Sequence, residues 1–183
     1  MSRAVIFLAP GFEEIEALTV VDLLRRADIE IDMISISEEH QVTGSHEIKV
    51  FADKTWSEVM FENVDMMILP GGMPGTKNLE AHEPLLQKIK EFYEKGRYIS
   101  AICAAPSILG HLGMLKGRNA CAFPDYESHL EGAIVTKNEV EVSDHIITSR
   151  GMGCAIPFGL AVVERFKGKE TAEMLKEKIV FKR

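Results

Sequence analysis

Ser100-Ala101-Ile102 reads as the end of a buried strand, Cys103 follows at once, and Pro106 stands where the first turn of a helix would begin. This is the layout of a nucleophile elbow, in which small residues two positions either side of the nucleophile let strand and helix pack closely at a strained turn. Ala101 and Ala105 fill those two positions. A thiol placed there faces unpaired backbone N–H groups and the positive end of a helix dipole, and both favour thiolate over thiol. The plain alternative is a small buried hydrophobe, a common fate of cysteine. Glu16 is the second candidate. A helical wheel over Ile15 to Ala27 sets it with Val20, Leu23 and Ala27, opposite Asp22 and Arg26. A carboxyl on an apolar face must find a partner or hold a proton at a raised pKa. A protonated Glu16 would donate a hydrogen bond to a Cys103 thiolate. The third is Gly71-Gly72, whose backbone N–H groups can come close to a ligand and form an oxyanion hole. A Pro-Gly-Gly turn without any chemistry is the competing reading.

Other reactive residues are placed by the company they keep. Glu13 and Glu14 read as acids that favour a helix N-terminus electrostatically. Cys121 and Cys154 lack the elbow spacing and are expected to pack. Of the six histidines, none follows the cysteine directly and none shows metal-ligand spacing with another donor, so no metal site is expected. Ser149-Arg150-Gly151-Met152-Gly153 can cap the next helix, while Arg150 also suits a charged ligand or a subunit contact.

These groups need a scaffold, and the sequence alternates short β-branched runs with helical patterns. Val5 to Leu8, Ile29 to Ile36, Met66 to Leu69, Tyr98 to Ile102 and His145 to Thr148 read as strands apolar on both faces, as parallel strands are. Ile15 to Ala27, Leu85 to Lys95, Ala105 to Leu112, Ala155 to Phe166 and Glu170 to Lys178 read as helices. Right-handed βαβ crossovers follow, giving an α/β fold with a flavodoxin-like, doubly wound, mostly parallel sheet sandwiched by helices. Two segments, Glu38 to Asp53 around Gly44 and Ala120 to Val142 around Lys137-Asn138, are expected to form hairpin additions. In such a sheet, ligands bind beyond the carboxyl ends of the strands where strand order reverses. With the third strand beside the first and the fourth beside the third, the loops at 9–14, 70–75 and 103–106 should converge.

Bulk properties limit the classes of function. With no repeat, low-complexity stretch or linker, residues 1–183 are expected to fold as one domain. A net charge of −7, with basic residues scattered among acids, leaves no stripe for nucleic acid. The apolar runs are far shorter than the roughly 20 residues of a spanning helix. Met-Ser-Arg leads straight into a strand pattern without a signal-peptide region, and three cysteines form no disulfide framework. A cytoplasmic location is expected.

The segments Leu8-Ala9-Pro10-Gly11-Phe12-Glu13-Glu14-Ile15-Glu16-Ala17, Leu69-Pro70-Gly71-Gly72, Ala101-Ile102-Cys103-Ala104-Ala105-Pro106 and Thr148-Ser149-Arg150-Gly151-Met152-Gly153 resemble the DJ-1/PfpI (ThiJ) superfamily, within it the DJ-1 and YajL-like branch. The resemblance implies a homodimer with Cys103 as nucleophile and Glu16 as its protonated partner. It also implies oxyanion donors at the Gly72 and Ala104 N–H groups beside Gly71. The activities it implies are glyoxalase III and protein deglycase chemistry on small 2-oxoaldehydes or glycated thiol and amine adducts, without a cofactor. An oxidative-stress sensor or chaperone that uses Cys103 oxidation is the alternative. Protease-type members carry a histidine where this chain has Ala104, so a protease or amidase would lack its base. Some members place a histidine at the position matching Phe123, and a basic residue of relatives matches His46.

Overall fold

The structure, a computed structural model, describes residues 3–182. Its strands are β1 (Arg3–Leu8), β2 (Glu30–Ser35), β3 (Gln41–Thr43), β4 (Lys49–Phe51), β5 (Lys54–Thr55), β6 (Met66–Leu69), β7 (Tyr98–Ile102), β8 (Asn119–Ala120), β9 (Ile134–Val135), β10 (Val140–Ser143) and β11 (Ile146–Ser149). The helices are α1 (Glu14–Arg26), α2 (Gly75–Ala81), α3 (Glu83–Glu94), α4 (Pro106–His111), α5 (Ala155–Lys167) and α6 (Lys169–Lys178). Seven strands form one sheet in the order β10-β11-β7-β6-β1-β2-β5, parallel except for β10.

Period-2 alternation along the central strands feeds two cores. Ala4, Ile6 and Leu8 face the layer of α1, α5 and α6, where they meet Val20, Leu24, Phe158 and Val162. Val5 and Phe7 face the other layer, with Leu79, Leu85, Ile89 and Ile108 from α2, α3 and α4. Both faces of the sheet are therefore dry, which is why its strands read as unbroken apolar runs. Among the described residues no helix is long and apolar enough to cross a membrane.

The expected hairpin in 38–53 is β3–β4, with Gly44 in its turn. The one expected in 120–142 is corrected. There β8 and β9 pair in parallel, a 3₁₀ turn at Pro124–His129 lies between them, and the true hairpin is β10–β11 with Asp144 at positive φ. Asn138 makes no hairpin turn; its side-chain amide donates to Glu141 Oε1 at 2.6 Å. Helix α2, seven residues behind Pro74, is hidden in the sequence because Gly-Gly-Met-Pro-Gly reads as loop throughout.

The strand order places the switch point between β1 and β6, with β7 next to β6. Hydrogen bonds tie the carboxyl-end loops together there: Glu13 N donates to Gly71 O at 2.9 Å, Gly75 N to Gly11 O at 3.0 Å, and Phe123 N to Cys103 O at 2.8 Å.

Candidate active site around Cys103

Cys103 occupies the left-handed region, with φ of 65°. A non-glycine residue there carries a penalty of about 1–2 kcal/mol, which surrounding contacts must offset. They do so from both sides, since Cys103 N donates to Ser149 O at 3.0 Å and its carbonyl accepts from Phe123 N. The elbow read from the sequence is thus present, and it turns the thiol toward the loops after β1 and β6.

Glu16 lies in the first turn of α1, whose N-cap Glu13 accepts the Glu16 N–H at 2.9 Å. Its side chain is buried, as its place on the apolar face requires. Oε2 accepts the Gly71 N–H at 2.9 Å, while Oε1 is buried with no hydrogen-bond partner among the described residues. Burial pushes this carboxyl up to about 7, and the nearby charge of Glu13 adds to that; the contacts with Cys103 and the Gly71 N–H act in the opposite direction.

The thiol departs from the sequence expectation. Burial first, and then the charge and hydrogen bond of Glu16, push Cys103 up to about 12 against the pull of the Ala104 and Gly72 N–H groups. The elbow spacing predicts the opposite, a pKa lowered by a helix dipole. Helix α4, however, begins only at Pro106 and has six residues, so little dipole reaches the sulfur. Two ionisable groups this close titrate as a pair, and burial together with their mutual repulsion disfavours the state in which both are ionised. Near neutral pH the pair therefore holds one exchangeable proton between a poised carboxyl and a sulfur flanked by two N–H donors.

Of the three donors named from sequence, Gly72 and Ala104 point at the sulfur, whereas Gly71 gives its N–H to Glu16. Gly71 has a second reason to be glycine. A Cβ there would stand 2.6 Å from Cys103 Cβ, 2.7 Å from Glu16 Oε2 and 3.0 Å from Cys103 Sγ. Gly71→Ala is accordingly expected to destabilise the fold by about 1–3 kcal/mol through overpacking, read from the urea midpoint. An unchanged midpoint would mean the gap between thiol and carboxyl is looser than described.

The remaining candidates surround this centre. Phe123 is partly exposed, and a Cβ on Gly151 would lie 3.4 Å from its ring and 4.0 Å from Glu16 Oε1, so an apolar ring stands at the rim of this centre. Arg150 donates to Glu127 Oε1 at 3.2 Å, which ties the loop after β11 to the 3₁₀ turn. His46 sits in the β3–β4 turn with its ring exposed; its N–H donates to Glu14 Oε1 at 2.8 Å and its Nδ1 lies 3.1 Å from Glu14 Oε2. Burial raises the Glu14 pKa, but these hydrogen bonds outweigh it and hold the carboxyl below the usual range. Glu13, Glu14 and His46 bring donor atoms within 4.8 Å of one another, the spacing of a metal site. Both Glu14 oxygens already accept hydrogen bonds, and the group works as a clamp between α1 and the hairpin. Buried Cys121 approaches the Thr148 carbonyl at 3.4 Å, a packing role as expected.

The sequence profile of the DJ-1/PfpI family matches residues 2–165. Protein DJ-1 homolog B of Arabidopsis thaliana is 35% identical over 89% of this chain, and that match spans only 37% of the plant protein. Glutathione-independent glyoxalase DJ-1 of Schizosaccharomyces pombe is 29% identical, over 93% of this chain and 94% of its own length. The structure of oxidized Toxoplasma gondii DJ-1, 33% identical, superposes with a TM-score of 0.95 over 100% of both chains. Because the profile runs through both the Glu16 turn and the Cys103 elbow, and the backbone follows a solved relative from end to end, the chain belongs to the DJ-1/PfpI family.

Proposed function

We propose that the chain converts small 2-oxoaldehydes such as methylglyoxal into 2-hydroxy acids, using Cys103 as nucleophile and Glu16 as the proton carrier. The observation that supports it is a buried carboxyl held near 7 against an elbow thiol, since an acid–base group works best when its pKa lies near the working pH. Glu16 takes the thiol proton as sulfur attacks the aldehyde carbon, forming a C–S bond and an alkoxide that the Gly72 and Ala104 N–H groups receive. Protonated Glu16 returns that proton to the alkoxide, giving a hemithioacetal. It then removes the proton from the former aldehyde carbon and delivers one to the neighbouring carbon through an enediol. The product is a thioester on Cys103, which water cleaves to lactate and free thiol. On hemithioacetal or aminocarbinol adducts, Cys103 would displace the adduct's thiol or amine from the same carbon, with the thiol proton passing through Glu16 to that leaving group; this gives the same Cys103 hemithioacetal and amounts to deglycation. No cofactor is required, and the reducing cytoplasm, where Cys103, Cys121 and Cys154 stay free thiols, is the compartment we propose.

The relative from Schizosaccharomyces pombe, named as a glutathione-independent glyoxalase, supports this reading. Oxidative sensing by Cys103 is the second reading; peroxide reacts with thiolate, and burial beside Glu16 raises the pKa of this thiol. Lactate formation from methylglyoxal without glutathione is the direct test. Failure of the wild-type chain to form it overturns the proposal.

We propose further that two copies pair through the outer face of α1. Ile15 and Ile48 are about half exposed and, with Leu18, Ile156 and Ile179, line one mostly apolar groove. Light scattering is expected to give twice the 20.4 kDa of one chain, and Ile48→Asp to shift it to the single-chain mass.

A further inference from the structure

Beside the Cys103 centre, two histidines that lie 18 residues apart in the chain meet where α2, α4 and the 3₁₀ turn come together. His111 ends α4, and His129 ends the 3₁₀ turn at Pro124–His129. His111 Nε2 lies 3.1 Å from His129 Nδ1, with the two rings inclined at 78°. The other nitrogen of His111, Nδ1, lies 2.5 Å from Glu80 Oε1 on α2. These groups line a cleft of about 380 Å³ shared with Asp125, Tyr126 and Thr76, whose buried hydroxyl has no hydrogen-bond partner among the described residues.

We propose that this cleft is a zinc-type divalent metal site, with His111 Nε2 and His129 Nδ1 as ligands and Glu80 orienting His111. The chemistry of the donors points that way. Imidazoles that bind metal usually give their other ring N–H to a carboxylate, which fixes the tautomer and raises ligand basicity, and Glu80 does this for His111. Two nitrogens bound to one tetrahedral zinc at about 2.0–2.1 Å each stand about 3.3 Å apart, close to the spacing found. Backbone packing keeps the two elements together, because Gly110 presses directly against the backbone around His129. The rings themselves are exposed, so they can rotate slightly to share an ion. With Nδ1–H of His111 directed at Glu80, Nε2 carries the lone pair. In the metal-free state His129 Nδ1–H donates to it. Binding moves that proton to His129 Nε2, which leaves two lone pairs on the ion and releases no net proton. Water completes the shell. Imidazole suits zinc better than magnesium or calcium, which take oxygen ligands.

The test is calorimetric titration of zinc chloride into the full chain. One zinc per chain is expected. His111→Asn and His129→Asn should each weaken binding at least tenfold, and Glu80→Gln by about tenfold. Cys103→Ser and His46→Asn should bind as wild type does. Loss of binding in Cys103→Ser would place the metal on the thiol, and loss in His46→Asn would place it on the Glu13–Glu14–His46 group; either overturns the proposal. So does a wild-type chain that binds no zinc, or histidine variants that bind it unchanged. Ring-nitrogen NMR of the wild-type chain needs no variant and is therefore free of folding effects: zinc should shift His111 Nε2 and His129 Nδ1, and an absence of shift counts against the site.

Discussion

Cys103→Ser should form lactate from methylglyoxal at least ~10³-fold more slowly than wild type, because removing a nucleophile removes the covalent path and leaves only binding and background chemistry. The reason lies in the proton carrier. Glu16, held at about 7, has to take its proton from a hydroxyl that is less acidic than a thiol, and the serine oxygen is also the weaker nucleophile. The substitution is otherwise mild. Serine is smaller than cysteine, keeps a polar atom before the Gly72 and Ala104 N–H groups, and leaves the Ser149 and Phe123 backbone bonds of the elbow in place. Its unfolding midpoint is therefore expected within about 1 kcal/mol of wild type, so lost turnover cannot be assigned to lost fold. Equal lactate rates in the two proteins would mean that sulfur forms no bond to substrate. In that case Glu16 alone would have to carry the isomerisation.

The two residues in this mechanism differ in how far sequence reveals them. Cys103 announces itself locally, through alanines at two positions either side and a proline after them, because an elbow is made by neighbours in the chain. Glu16 is visible through helical periodicity, since a charged residue on an apolar face signals burial. Their joint titration is not visible. It depends on the burial of the thiol and on the distance between the loops after β1, β6 and β7, neither of which is encoded near Cys103. The same division runs through the fold. Strands buried on both faces are legible from composition, as the order β7-β6-β1-β2 bears out. Segments of two residues such as β8 and β9 are not, because partners supplied by distant chain decide them. Asn138 has the chemistry of a turn residue, yet its amide serves the buried carboxyl of Glu141 instead. The pairing of His111 with His129 escapes for a like reason: neither shows ligand spacing until α4 and the 3₁₀ turn meet.

Glu16→Gln should move activity and stability in opposite directions. Loss of a general acid–base group lowers kcat/KM by about 10²–10⁴-fold. In wild type, kcat/KM should rise with pH and level off above about 7, as the carboxylate form of Glu16 appears; the variant should lack that inflection. Stability follows from the same shift. The folded-state pKa of Glu16 lies above its ordinary 4.5, so the folded chain binds this proton more tightly than the unfolded chain does. The carboxyl thus favours folding at pH values below about 4.5, and that contribution is lost as pH rises toward 7. By pH 8 an ionised, largely buried carboxylate costs up to about 3 kcal/mol relative to acid conditions. Glutamine keeps the shape and an oxygen for the Gly71 N–H but cannot ionise, so the variant should be more stable than wild type at pH 8 and nearly equal to it at pH 4.5. Urea midpoints at the two pH values measure this directly. A variant no more stable at pH 8 would show that the carboxyl is solvated or paired in a way that removes the penalty. The physical basis for its poised proton would go with it, because the burial that makes Glu16 an effective base is the same burial that makes its charge unfavourable.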